Sequence, residues 1–475
     1  MPTLGLPCLS ALSVRLALLL AFQLGCLRAA EFSVFVNGAR GDGKTVSTQA
    51  IQATIDAAAA DGGGTVVFPT GTYLTGALFL KSGVELRLDE GVTLSAVRSD
   101  DAYPESRTRV AGIEMDWPAA VVNVNGQRNV KITGPGTIDG QGDFWWSKFW
   151  GEDRKGGMLA DYNARKLRWA ADYDCKRVRG VAIYDSKDVE VNGVTILRPG
   201  FWSLVMTYSE RVTVRNVIIR ANMGERMGPS SDGIDVDSSR DILIEGCDID
   251  CNDDNICLKA GRDADGLRVN RPTENVIVRD CITRAGHGMF VIGSETSGGI
   301  RNVEVSNLRA IGTKYGIRFK SAKIRGGIVE NIRISGIRME NVPKPIHFEL
   351  NWNPSYSYPT LPAGMKLSEA PVHWKVMMQK VEPEARGIPL FRKISIRDVE
   401  ATGADGALYV NAYREKPLAE LSLEDVRIEA KTAGSVKSGS LWTMRNVRLL
   451  LDEVVEKVPY EACYDVPQPL IEKRR

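Results

Sequence analysis

Six side chains in the middle of this sequence are of the types and spacing that could do chemistry. They are Asp232, the pair Asp253-Asp254, His287 between Gly286 and Gly288, and Arg318 with Lys320. A glycosidic bond breaks when one carboxylic acid protonates the leaving oxygen while another group supplies or activates the nucleophile. Three carboxylates held close cannot all ionise at their ordinary pKa, so repulsion raises at least one and produces a neutral acid. His287 is one of three histidines in the chain, and its glycine neighbours surround it with backbone rather than packed side chains. It is expected to orient the acid or to bond to a sugar. Arg318 and Lys320, two apart, share one strand face. There arginine can grip a carboxylate bidentately while lysine adds a point charge. Jointly the set points to hydrolysis of an anionic sugar. Singly, each aspartate reads as a turn or cap residue, and the two cations as a solvated strand face.

Groups so distant in sequence meet only if the chain stacks them. Short triplets with apolar residues at both ends begin at Val130, Val189, Val212, Ile242, Val276, Val303, Ile332, Ile394 and Leu421. From Val189 to Ile332 the steps are 23, 30, 34, 27 and 29 residues. Each unit carries a second strand, such as Val194-Thr195-Ile196. A period of this size built from strands without helices marks a solenoid. Its coils would pair in parallel about 4.8 Å apart. The expected fold is all-β, a single-stranded right-handed parallel β-helix. A β-propeller fits less well, because pairs such as Asn125-Gly126 and Asp139-Gly140 do not recur once per repeat. Residues 47–60 read as a capped amphipathic helix closing the N-terminal end, with Ser47-Thr48 at its start and Gly62-Gly63-Gly64 after it. For Asp253 and Asp254 to face one cleft the backbone must turn there, and Asn252 and Asn255 make a turn plausible.

Two stretches, 141–176 and 343–389, break the period and are rich in aromatic residues. Long loops on a regular scaffold usually carry binding or packing. Trp145, Trp146 and Trp150 read equally as sugar-stacking platforms or as packing for their own loop. If both stretches wall off one end of a cleft, terminal units of a polymer would be released.

Composition excludes little. The 475 residues carry a formal charge of +2, so nothing demands nucleic acid, and an acidic substrate must be held by local cations. Arg15, the apolar run 16–22 and the small residues to Ala30 read as an export signal covering residues 1–30. The run is too short for an ordinary transmembrane helix. Residues 31–475 would then form one β-helix domain, secreted or periplasmic, with Cys26 open to lipidation. The six cysteines beyond that signal lack zinc-site spacing. Cys247 and Cys281 close equivalent segments and are expected to stack in adjacent coils rather than form a disulfide.

These motifs resemble glycoside hydrolase family 28, the polygalacturonases and related pectin hydrolases. The family's Asn-Thr-Asp, Asp-Asp, Gly-His-Gly and Arg-Ile-Lys are similar to Ser230-Ser231-Asp232, Asp253-Asp254, Gly286-His287-Gly288 and Arg318-Phe319-Lys320. Gly41-Asp42-Gly43-Lys44 and 71–76 also look like the family. The resemblance spans about residues 35–345. It implies that Asp253 is the general acid, that Asp232 and Asp254 activate water, that His287 supports the acid, and that Arg318 and Lys320 hold the substrate. It further implies inversion without metal or other cofactor, on α-linked galacturonic acid in pectin; a monomer is expected separately. Ser230, Ser231 and Phe319 depart from the pattern, which puts polar contacts near the base in doubt. An offset of one coil, about 4.8 Å, is closer to the separation for retention than for inversion. A rhamnogalacturonan hydrolase, a calcium-dependent pectate lyase and a non-catalytic glycan-binding β-helix are the alternatives.

Overall fold

The computed structural model describes residue 1 and residues 30–222, 227–453 and 455–474. The apolar leader, with Cys8 and Cys26, lies outside the described residues. Among those described, 33 strands join in one parallel assembly, and one antiparallel hairpin pairs Glu105–Val110 with Ile113–Pro118. The protein is a right-handed parallel β-helix.

The triplets set the register. Val130 pairs with Val189, then Val212, Ile242, Val276, Val303, Ile332, Ile394 and Leu421, each one coil further. All nine are buried. Because side chains alternate along a strand, this register puts every polar partner outside and makes one continuous apolar interior. The residue before each of them is left-handed, from Asn129 to Glu420, with φ between 54° and 58°. Asn and Asp tolerate that conformation through short side chains that bond locally. Here they also bond along the stack, Asn275 to Asp241 at 2.9 Å and Asn302 to Asn275 at 3.3 Å. Cys247 and Cys281 stack as free thiols in adjacent coils, with the Cys247 N–H 3.4 Å from Cys281 Sγ.

One face of the coil is the row β1 (Leu78–Leu80), β2 (Val122–Asn125), β3 (Val181–Tyr184), β4 (Leu204–Thr207), β5 (Ile234–Asp237), β6 (Asp254–Lys259), β7 (Gly288–Ile292), β8 (Tyr315–Lys320) and β9 (Lys344–Glu349). Each pairs in parallel with the next. Helix α1 (Thr48–Ala60) covers the N-terminal end and buries Ile51, Ile55 and Ala58. Ser47 does not cap it through its side chain; its hydroxyl accepts the Arg40 N–H at 3.0 Å.

The first period-breaking stretch folds as α2 (Asp143–Trp150), α3 (Gly157–Ala164) and α4 (Arg168–Asp174). The second is shorter than its sequence suggests, because β9 is a regular coil strand. Pro343 and Pro345 disguise the inward alternation of Ile346 and Phe348. After β9 come α5 (Pro354–Ser357) and α6 (Val372–Met377). Helices α4, α5 and α6 share an apolar core of their own with the hairpin. Trp117, Trp169, Tyr173, Phe201, Trp202, Val205, Tyr356 and Trp374 meet there. No helix among the described residues is long and apolar enough to cross a membrane.

Candidate active site

Stacking brings the six sequence-predicted side chains onto one wall. The Gly233 N–H donates to the Asp254 carbonyl at 2.9 Å, which sets Asp232 one coil below Asp254. Asp253 precedes β6 in a bend, so both carboxylates of the pair reach the cleft. Asn255 turns inward instead. Its amide donates to the Ala285 and Gly288 carbonyls at 2.7 and 2.9 Å, clamping the loop that presents His287. That loop needs Gly286. Its φ is 101°, and a Cβ there would strike the Asp253 carbonyl oxygen, which accepts the His287 N–H at 2.8 Å. Residue 318 follows on β8, where Val291 of β7 pairs with Arg318.

Charge is distributed unevenly over this wall. Asp254 is fully buried, and Lys320 Nζ stands 2.6 Å from Oδ2 with Arg318 Nη1 3.3 Å from Oδ1. Burial pushes its carboxyl up, but Lys320 and Arg318 outweigh burial and hold it below the ordinary value. Asp232 goes the other way. Burial first, then Asp235 and Asp253, push it well up, against the pull of Lys259. The repulsion expected among the three aspartates therefore falls on Asp232. Asp253 pairs with His287, Oδ1 to Nδ1 at 3.3 Å. Burial raises Asp253, yet the imidazole outweighs it and keeps the carboxyl low, while Asp253 raises His287 in return. These neighbours favour the proton-bound forms of Asp232 and His287 and the anionic forms of Asp253 and Asp254.

Several cleft residues were not singled out from sequence. Lys259 Nζ lies 3.4 Å from Asp232, 3.3 Å from Asp235 and 3.8 Å from Glu295. Neither Asp235 oxygen has an aligned donor, and burial lifts its pKa to about 7. Strand alternation could have found Lys259, since 257 and 259 follow the outward face of 235 and 237 in register. Arg168, Asp172, Trp202, Trp352, Asn353 and Tyr356 also line the cleft. Of these, Trp352 and Tyr356 carried an aromatic signal in the sequence and the rest carried none. Trp145 and Trp146 pack their loop onto the coil rather than line the cleft; both are buried, Trp145 within the coil's core, with Nε1 donated to Asp100 Oδ1 and the Pro199 carbonyl. Phe319 stacks on Phe348 inside the coil, rings 4.4 Å apart, so that departure from the motif does not touch the cleft. Ser230 does touch it, and its hydroxyl donates to Asp172 Oδ1 of α4 at 2.7 Å.

The cleft does not run the length of the row. Val205, outward on β4 and one coil below Asp235, is 1% exposed because the helices and hairpin cover it. The cavity reaches back to Phe201 and Trp202, just before β4, and is bounded there by the covered surface.

Comparison with known proteins adds the following. The family model described as "Glycosyl hydrolases family 28" matches residues 64–373, and one described as "Rhamnogalacturonase A/epimerase, pectate lyase-like" matches residues 32–88. A probable polygalacturonase of Vitis vinifera is 27% identical over 84% of this chain and 74% of its own length. An endo-polygalacturonase of Pectobacterium parmentieri is 27% identical over 80% of this chain and 81% of its own. Among solved structures, a hyperthermoactive exopolygalacturonase from Thermotoga maritima superposes with a TM-score of 0.74 at 29% identity, covering 88% of this chain and 92% of that one.

Proposed function

This chain belongs to the glycosyl hydrolases of family 28 and is a glycosidase; on that premise we propose that it hydrolyses α-linked galacturonic acid in pectin, from a chain end, by inverting, metal-independent displacement. The observation that carries this reading is three aspartates gathered on one wall, Asp254 held by Lys320 and Arg318 and Asp253 paired with His287, in a cleft closed on one side.

Asp253 is the general acid in this reading. It shares a proton with His287, and delivers it to the leaving glycosidic oxygen as the bond breaks, leaving the imidazole neutral. Asp254, held anionic by Lys320 and Arg318, takes the proton of the attacking water. Asp232, whose proton-bound form is favoured by burial and its acidic neighbours, orients that water with Asp254. Oxygens of Asp232 and Asp254 lie within 4.8 Å of one another, close enough to hold one water between them. Lys320 and Arg318 use their remaining donors on the substrate. The preference for chain ends follows from the covered face at Val205, and the exopolygalacturonase of Thermotoga maritima supports it by likeness.

Elimination with calcium fits poorly. Asp232, Asp254 and Cys257 have metal-ligand spacing, but calcium takes oxygen ligands. The third donor here is a buried thiol pushed well up by burial, and ammonium groups already hold both carboxylates.

Residues 1–30 as an export signal and 31–475 as one domain belong to the same proposal. The mass of the mature protein tests it, since retention of residues 1–30 after export would overturn it.

Incubation with defined oligogalacturonates and with rhamnogalacturonan tests the activity. Single galacturonate units of inverted anomeric configuration are expected from the former, at a rate that Asp253→Asn lowers by at least about a thousandfold. Cleavage of rhamnogalacturonan alone would assign the runner-up. An unsaturated product would assign a lyase.

A further inference from the structure

Within the cleft, most cations are already committed. Lys259 faces three carboxylates, Lys320 lies against Asp254 and His287 against Asp253. Arg168 differs. It opens α4, and Nη1 donates to Asp172 Oδ2 at 2.7 Å. Among the described residues its Nε and Nη2 have no acceptor. Asp172 is itself shared, because Arg177 Nη2 takes Oδ1 at 2.9 Å and the Ser230 hydroxyl donates there as well. Two guanidinium groups around one carboxylate leave a surplus positive charge at this wall. Arg177 is fully buried, whereas the Arg168 side chain is 27% exposed. The surplus therefore faces the cavity through Arg168, whose guanidinium lies 5.4 Å from the Tyr356 ring. Tying Asp172 to Ser230 fixes Arg168 at the coil of Asp232, three strands before the one that bears Arg318 and Lys320.

We propose that Arg168 holds the carboxylate of the terminal galacturonate at the closed side of the cleft, its free Nε–Nη2 edge meeting the two carboxylate oxygens. A guanidinium edge matches a carboxylate in plane, with two parallel N–H donors. Placed opposite Arg318 and Lys320, it gives the two sugars flanking the scissile bond a cation each. The contact rests on the galacturonate reading above. It explains why Ser230 stands where the family pattern has asparagine: its hydroxyl anchors the carboxylate that aims the arginine.

Calorimetric titration of the full protein with galacturonate and with its neutral methyl ester tests the contact apart from turnover. Wild type is expected to bind the acid at least about tenfold more tightly than the ester. Arg168→Gln should abolish that preference while leaving ester binding in place, and Arg168→Lys should restore part of it. Asp172 keeps Arg177 and Ser230 in both variants, so α4 stays docked. A preference that survives Arg168→Gln, or equal loss of both ligands, would overturn the proposal. Wild type that prefers the acid but releases no galacturonate from trigalacturonate would instead remove the functional reading and leave Arg168 standing.

Discussion

Asp235 shows what the site costs the fold. It lies under the cleft with no aligned donor on either oxygen, and its carboxyl titrates at about 7. Between its ordinary value of 3.8 and 7 the folded protein therefore binds a proton that the unfolded chain releases. Stability falls as pH rises through that window, and the penalty is complete above it. Asp235→Asn is expected to raise the unfolding free energy at pH 8 by up to about 4 kcal/mol, reduced by the partner that Lys259 loses, with the gain vanishing near pH 4. Urea denaturation at the two pH values checks this. A gain independent of pH would mean that the amide merely packs better. The gathering of 232, 253, 254, 287, 318 and 320 on one wall was legible because their spacing follows the coil repeat. Arg168 was not, since its meaning comes from Asp172 and from a cavity wall assembled by distant segments.

At the scale of an element, legibility followed period. The nine triplets were readable because a residue alternation of two has one buried face. β9 was hidden by two prolines, and the hairpin Glu105–Pro118 by a strand, ESRTRV, with no such alternation. The bend at Asp253 was foreseeable from its flanking asparagines, but not the inward turn of Asn255 that ties it to the next coil. That tie makes one glycine decisive. Gly286→Ala puts a methyl group against the Asp253 carbonyl at a backbone angle that L residues avoid. The cost is about 1–3 kcal/mol locally. Displacement of the Asp253–His287 pair should lower kcat by about a hundredfold while circular dichroism stays that of the folded coil. Full activity in this variant would show that the loop tolerates the shift.

Among the described residues there are two large apolar cores, with a small third cluster at Phe149, Ala171 and Cys175. The interior of the coil is continuous from end to end, whereas the covering helices and hairpin close around Trp117, Trp169 and Trp374 outside it. The Trp169 and Trp374 rings, 4.8 Å apart, join the two period-breaking stretches. Trp169→Ala removes that contact at about 3–5 kcal/mol, and the loss is borne by the cover, not the coil. Heating this variant is expected to give two transitions. Tryptophan fluorescence should change first and the β signal in circular dichroism later. One coincident transition would mean that cover and coil melt together. Each part also tolerates change differently: coils repeat, while the cover exists only where segments far apart in sequence agree.

The covered face at Val205 has a consequence for traffic. On the proposed chain-end action, a sugar cut off at the inner side would have no way out past the helices and would leave through the mouth that admitted the polymer. The shortened chain would then have to back out first, so that every cut is followed by full dissociation. On that reading the enzyme would work in a distributive manner, shortening many chains by one unit each instead of consuming one chain to its end.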